Sequence, residues 1–228
     1  FTGTILRGAN LSFTNLSGQD LSGMDLRGIN FHNANLENAD LSNITISKII
    51  QYFEPNAYNF ECSYPDDLFL NAVYQERCII KVLKNESVRT DFSNANLKGV
   101  TISLSGNNDF LNFVDFSGAD LTGIDFSNLI FRACKFSDGT TFSNSSMNNV
   151  AFVLCDFTES KFINVEFFQA VFHNVSFHNA EIIDGSFERT IFVDHADFSN
   201  ADLQGTSFDM IDMIGNIVFN CKNNQVCK

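Results

Sequence analysis

His173, His178, Asp194 and His195 gather late in the chain, near one expected corner of the fold. Imidazole and carboxylate are ordinary zinc ligands, so the group could hold a metal. Scattered surface histidines are the simpler reading. No HExxH, no phosphate-cradling loop and no nucleophile–base–acid set occurs. Outward aspartates recur at one repeated position, so neighbouring carboxylates arise here without catalysis. The residues predict a non-enzyme with no metal and no cofactor.

Six cysteines fall in three pairs, Cys62 with Cys78, Cys134 with Cys155 and Cys221 with Cys227. No CxxC occurs, which argues against a zinc ribbon. Cys134 and Cys155 take equivalent inward places on neighbouring repeats. Parallel side chains stacked at strand spacing suit a disulfide poorly, so they are expected as buried thiols. The other two pairs would bridge only in an oxidising compartment.

The elements that position these groups follow a beat of five, a period that belongs to neither helix nor strand. "ANLSFTNLSGQDLSGMDLRGINFHNANLENADL" carries a bulky apolar centre at Leu11, Leu16, Leu21, Leu26, Phe31, Leu36 and Leu41. A small or apolar residue precedes many of these centres by two, with Asn or Asp between. Ser, Gly or Asn follows. Alternation makes the centre and the residue two before it point inward, and the polar pair after it turns a corner. Four corners close a square coil, and coils stack in parallel at about 4.8 Å. Each coil buries its core only against its neighbours, as in a solenoid.

From Phe116 onward the expected ladders are explicit, if one extra residue is allowed at two corners. The first face stacks Phe116, Phe136, Phe157, Phe177 and Phe198. The second stacks Leu121, Phe142, Phe162, Ile182 and Leu203. Phe126, Met147, Phe167, Phe187 and Phe208 form the third, and Phe131, Phe152, Phe172, Phe192 and Met213 the fourth.

The motif resembles A(D/N)LXX of the pentapeptide repeat family, over Thr4–Ser47 and Thr90–Gly215. That resemblance implies an all-β, right-handed quadrilateral parallel β-helix, here of about eight coils. It says almost nothing of function. The whole chain reads as one domain with a tail at 216–228.

Two interruptions break the beat. Residues 47–89 hold both prolines and a helix signal near 65–84, with Phe69, Val73, Ile80 and Leu83 on one face. A shorter loop spans 103–113. Placing Phe116 in line with Leu6, Leu26 and Ile46 makes both breaks flank that first face. Loops on rigid scaffolds tend to carry recognition, although insertions are also tolerated as decoration.

The outward positions of the fourth face depart from the polar rule set by Asp20, Ser22, Asp40 and Ser42. Ile130, Ala151, Val171 and Ile191 form one column. Val153 and Val193 lie in the next, with Leu154 beside them and Arg132 and His173 interleaved. An apolar stripe of this extent marks either a surface for a partner, itself or another, or a surface covered by the insertion or by terminal residues.

A net charge of −13 disfavours direct nucleic-acid binding and permits a basic partner. No apolar run reaches the roughly 20 residues that cross a membrane as a helix. The start at Phe1 reads as trimmed, with any targeting signal outside the sequence. The leading expectation is a protein-interaction scaffold, its partner a protein or a second copy. "ADLSNITISKII" is similar to the β-helix part of secreted bacterial ligase effectors, which implies partner selection without catalysis. Either a reducing intracellular setting or delivery into a host cell suits it. The alternative is an acidic DNA mimic acting on a type II topoisomerase, because acidity and interrupted loops also resemble the gyrase-protecting branch. That branch dimerises through an apolar C-terminal helix, whereas this chain ends in polar "FNCKNNQVCK".

Overall fold

The computed structural model describes residues 6–46, 90–104 and 110–222. Within them every repeat does as its chemistry dictates. The Asn or Asp before each centre accepts a hydrogen bond from the backbone N–H two residues on, as in Ser22 N to Asp20 Oδ1 at 2.9 Å and Ser93 N to Asp91 Oδ1 at 2.8 Å. The second residue after the centre is left-handed, which is why Gly and Asn dominate there: Gly18 has φ +64° and Asn33 +54°. Where Asn or Asp precedes the centre, the corner is thus a side-chain-capped turn.

Most coils meet their neighbours through single parallel bridges, such as Asn30 with Asp91 and Asp91 with Asp115. Longer strands form on three faces. β1 (Asp40–Ile44) pairs with β2 (Thr101–Leu104), and β6 (Lys161–Ile163) with β8 (Glu181–Ile183). The widest sheet is built from β3 (Phe110–Asn112), β4 (Ile130–Arg132), β5 (Ala151–Val153), β7 (Val171–Ser176), β9 (Ile191–Asp197) and β10 (Asp212–Val218). All its pairings are parallel, and they bring Phe131, Phe152, Phe172, Phe192 and Met213 into one column.

Phenylalanine is the commonest bulky residue of the core. Phe31, Phe92, Phe116, Phe136, Phe157, Phe177, Phe198 and Phe219 stack in one unbroken pile, with successive centroids 4.8–5.3 Å apart. Smaller inward residues stitch coils together through their hydroxyls. Thr140 donates to Phe116 O at 2.8 Å, Thr190 to Phe167 O at 2.8 Å and Thr206 to Ile182 O at 2.6 Å. A buried hydroxyl is tolerated there because it has a partner.

This pile corrects the expected register. Phe116 lies over Phe92 and Phe31, not in line with Leu26 and Ile46, so those two belong to the fourth face. The missing rung is Leu111, fully buried in β3 and paired with Phe131. It falls inside the stretch read as a loop over 103–113, which the end of Thr101–Leu104 and all of Phe110–Asn112 enter as strand. The large insertion therefore sits at the corner between the fourth and first faces, shared with the extra residue before Phe198. The shorter loop sits at the corner between the third and fourth faces. Both flank the fourth face.

The tail also shortens. β10 runs through Val218, and Phe219 caps the pile on Phe198 at 5.0 Å. The helix near 65–84, with Phe69, Val73, Ile80 and Leu83, lies outside the described residues. Among the described residues no helix is long and apolar enough to cross a membrane.

Candidate interaction face

The six-stranded fourth face holds the candidate residues in two outward columns. Ile130, Ala151, Val171, Ile191 and Asp212 pair in one, and the backbone at Phe110 pairs with Ile130. Asn112, Arg132, Val153, His173, Val193 and Ile214 pair in the other. The early rungs of the same face remain polar, with Asp25 bridging Thr45. Asp20, Ser22, Asp40 and Ser42 belong to the third face on the corrected register, so Asp25, Arg27 and Thr45 are the proper contrast.

The stripe reads as either a partner surface or a covered one, and most of its outward side chains are buried. Val153 and Ala151 are 0% exposed, Ile130 and Val193 4%, and Val171 5%. Arg132 and His173 are buried as well, while Ile191 and Leu154 are half-buried. Alternation turns these side chains away from the phenylalanine core, yet they are not wet. They form two small clusters of their own, Ile130, Ala151, Val171 and Val193 with Ile191, and Val153 with Ala133, Phe113 and Leu154. Sequence pattern fixes which way a side chain points and says nothing of what lies on top of it.

The coil just described also decides the family. One pentapeptide-repeat family matches residues 1–23, 9–47, 111–149 and 138–174, and a second pentapeptide-repeat family matches 167–209. The chain belongs to the pentapeptide repeat proteins. Among solved structures it is similar to HetL, a pentapeptide repeat protein involved in heterocyst differentiation regulation from the cyanobacterium Nostoc sp. strain PCC 7120. The identity is 15% over 95% of this chain and 85% of that one, with a TM-score of 0.32. It is also similar to a trypsin-treated form of QnrB1, a plasmid-mediated fluoroquinolone resistance protein. There the identity is 13% over 90% of this chain and 89% of that one, with a TM-score of 0.39. A search of curated proteins finds no match.

In this pentapeptide repeat protein the histidines and aspartates singled out for metal chemistry go separate ways. His173 Nε2 meets Asp194 Oδ2 at 2.7 Å, His178 Nδ1 meets Ser199 Oγ at 2.7 Å, and His195 Nδ1 donates to Asn216 O at 3.1 Å. Among the described residues no group of three potential ligands converges. Several outward carboxylates are occupied as turn caps. Hydrogen bonds from the Ser22 hydroxyl and N–H hold Asp20 below the usual carboxylate range. A surface cleft of about 480 Å³ beside β2 is lined by Val100, Ile102, Leu104, Asp125 and Leu129, and among the described residues that line it Asp125 is the only ionisable group.

Cys134 and Cys155 are buried free thiols, as expected from their inward places. They act like the threonines, with Cys134 Sγ donating to Leu111 O at 3.2 Å and Cys155 Sγ to Phe131 O at 3.6 Å. Burial pushes the Cys155 thiol well up, and its neighbour Cys134 adds to the effect. Cys221 is disulfide-bonded.

Residues that sequence reasoning missed lie at the last rung. Met210 is 73% exposed, Ile214 51% and Met213 46%. Met213 was legible as a centre, but a centre is buried only where a neighbouring coil packs on it, and among the described residues none lies beyond β10.

Proposed function

We propose that this chain is a non-catalytic recognition scaffold: the coil is a rigid body, and residues 47–89 are the element that reads a protein partner. The observation that carries this is the contact of Phe31 with Phe92, stacked at 5.0 Å across the interruption. A segment that leaves and re-enters without disturbing the core contributes little to closing it, so its residues are free to serve another purpose. The turn-capping aspartates support the non-catalytic part, because their lone pairs already hold the backbone. In this reading Phe69, Val73, Ile80 and Leu83 are the row the partner meets.

Affinity capture with the full chain and with a chain lacking 47–89 tests it. The expected result is a protein retained by the full chain, lost with the deletion, and binding the purified full chain directly. Equal retention by both chains overturns the role of the segment. A second reading, the acidic DNA mimic, draws on Asp91, Asp115, Asp156 and Asp197 lying along one outward edge, a track that Lys135 and Ser176 interrupt. Protection of gyrase supercoiling from a fluoroquinolone at micromolar protein would favour it, and no effect would dismiss it.

A further inference from the structure

Along β4, β5, β7 and β9 the fourth face of the coil is largely buried on its outer side, and the structure lets its occupant be narrowed. Ile130, Ala151, Val153, Val171 and Val193 point away from the core, yet none is more than 5% exposed. Among the described residues, the apolar side chains that join them are Ile191, Ala133, Phe113 and Leu154, all on the same strands or corners. Those lie within the face and its edge, not over it.

We infer that residues 47–89 of the same chain dock on this face. Three other segments lie outside the described residues, and each is a poor occupant. Residues 105–109 read SGNND, with no apolar side chain, and residues 223–228 read NNQVCK, with a single valine. Residues 1–5 precede Leu6, at the far end of the coil. Residues 47–89, by contrast, bring Ile49, Ile50, Tyr52, Phe53 and Phe60 before the row assigned above to a partner. Their apolar content serves two sides.

Geometry agrees. Ile46, the last described residue before the segment, is itself a centre of the fourth face, and Thr90 resumes the chain at the next corner. Thr90 Oγ1 donates to Ile46 O at 2.9 Å, which pins exit and return together. Val193 lies five rungs up the same face, roughly 24 Å at about 4.8 Å a rung. A segment of this length reaches that far several times over at about 3.3 Å per residue. The corrected register matters here, since it moves the exit to the edge of the apolar face itself.

Tyrosine emission isolates the segment, because the chain has no Trp and all its tyrosines, Tyr52, Tyr58, Tyr64 and Tyr74, lie within 47–89. Acrylamide quenching and solution mass are measured for the full chain and for its Val153→Lys, Val193→Lys variant. The expected result is a full chain that is monomeric with protected tyrosines, and a variant whose quenching shifts towards that of free tyrosine amide while the far-UV β spectrum persists. Unchanged quenching in a folded variant overturns the proposal. So does a dimeric full chain that the substitutions split without altering quenching, since the occupant is then a second copy. If the variant fails to fold, a photo-crosslinking residue in place of Val193 decides. An intrachain adduct to a peptide from 47–89 supports the docking, and any other adduct, or none, overturns it. The outcome does not depend on whether a partner is found, so this inference and the proposed function fail separately.

Discussion

Phe31 and Phe92 stack with centroids 5.0 Å apart and planes 12° from parallel, although residues 47–89 separate them in the chain. The next contact, Phe92 with Phe116 at 5.3 Å, spans the second interruption. Register across both breaks is therefore held by packing, not by chain continuity. Phe92→Ala should cost about 3–5 kcal/mol, the range for emptying a fully packed aromatic site. Joining Ile46 to Thr90 by a short turn should leave the far-UV β spectrum, because the pile does not need the segment, while uncovering the fourth face lowers the midpoint. Denaturant midpoints for the two chains test the contrast.

Gly205 illustrates a tighter constraint at the corners. Its φ is +71°, and an added Cβ would overlap Asp184 Oδ1 on the coil below. Gly23 has a similar φ of +70° but faces open space. Gly23→Ala should cost about 1–2 kcal/mol from the left-handed backbone alone, and Gly205→Ala clearly more. Adding Asp184→Ala to Gly205→Ala should recover the difference. A urea-denaturation cycle over the three positions reads that coupling.

The coil itself was legible because a large apolar residue at every fifth place leaves few backbones that bury it. Register was not. Leu111 follows Ile102 by nine residues instead of five, with SLSGNNDF between them, so its rung was missed and the early coils were placed one face out. The columns through Ile130 and Val153 were legible as apolar and outward, because strand alternation fixes direction. Their burial was not, because it depends on a contact remote in sequence. His173 and Asp194 show the same limit, since their 2.7 Å contact links adjacent coils across a corner with an irregular register.

Thr140 is a test of the hydroxyl stitches. Its side chain is buried, and its single hydroxyl proton is shared between Phe116 O and Ser137 O, both at 2.8 Å. Thr140→Val keeps the shape and removes the donor, so the chain should lose about 1 kcal/mol. Thr140→Ser should retain most of the hydrogen bonding. Equal midpoints for the Val variant and the native chain would show that the carbonyls need no side-chain partner.

Cys134 and Cys155 should be inert in the folded protein. Both are buried, and the raised Cys155 thiol holds its proton at neutral pH. Labelling of these two by a thiol reagent should therefore track global unfolding as denaturant is added. Peptide mapping by mass spectrometry separates them from the remaining cysteines. Rapid modification of either in the native state would mean that the coil opens locally at that rung.

Acid should weaken the fold through Asp25 and Asp197. Hydrogen bonding to Arg27 holds Asp25 down, with Arg27 Nε 2.7 Å from Oδ1. For Asp197 burial pushes upward, but hydrogen bonds from Ser199 and the nearby His178 and His195 carry the net shift downward. A carboxyl that is more acidic folded than unfolded contributes stability that is complete above its unfolded value, about 3.9. In the window just below, the unfolded chain binds more protons than the folded one, so stability falls as pH drops through the folded values. Asp25→Asn and Asp197→Asn should thus lower the neutral-pH midpoint and flatten its fall in acid. Both side chains are partly solvated, so the effect of each is small and the double variant is the better probe. Urea midpoints between about pH 2 and 6 follow this linkage directly. An acid slope unchanged in the double variant would move the origin of acid sensitivity to other carboxylates of the coil.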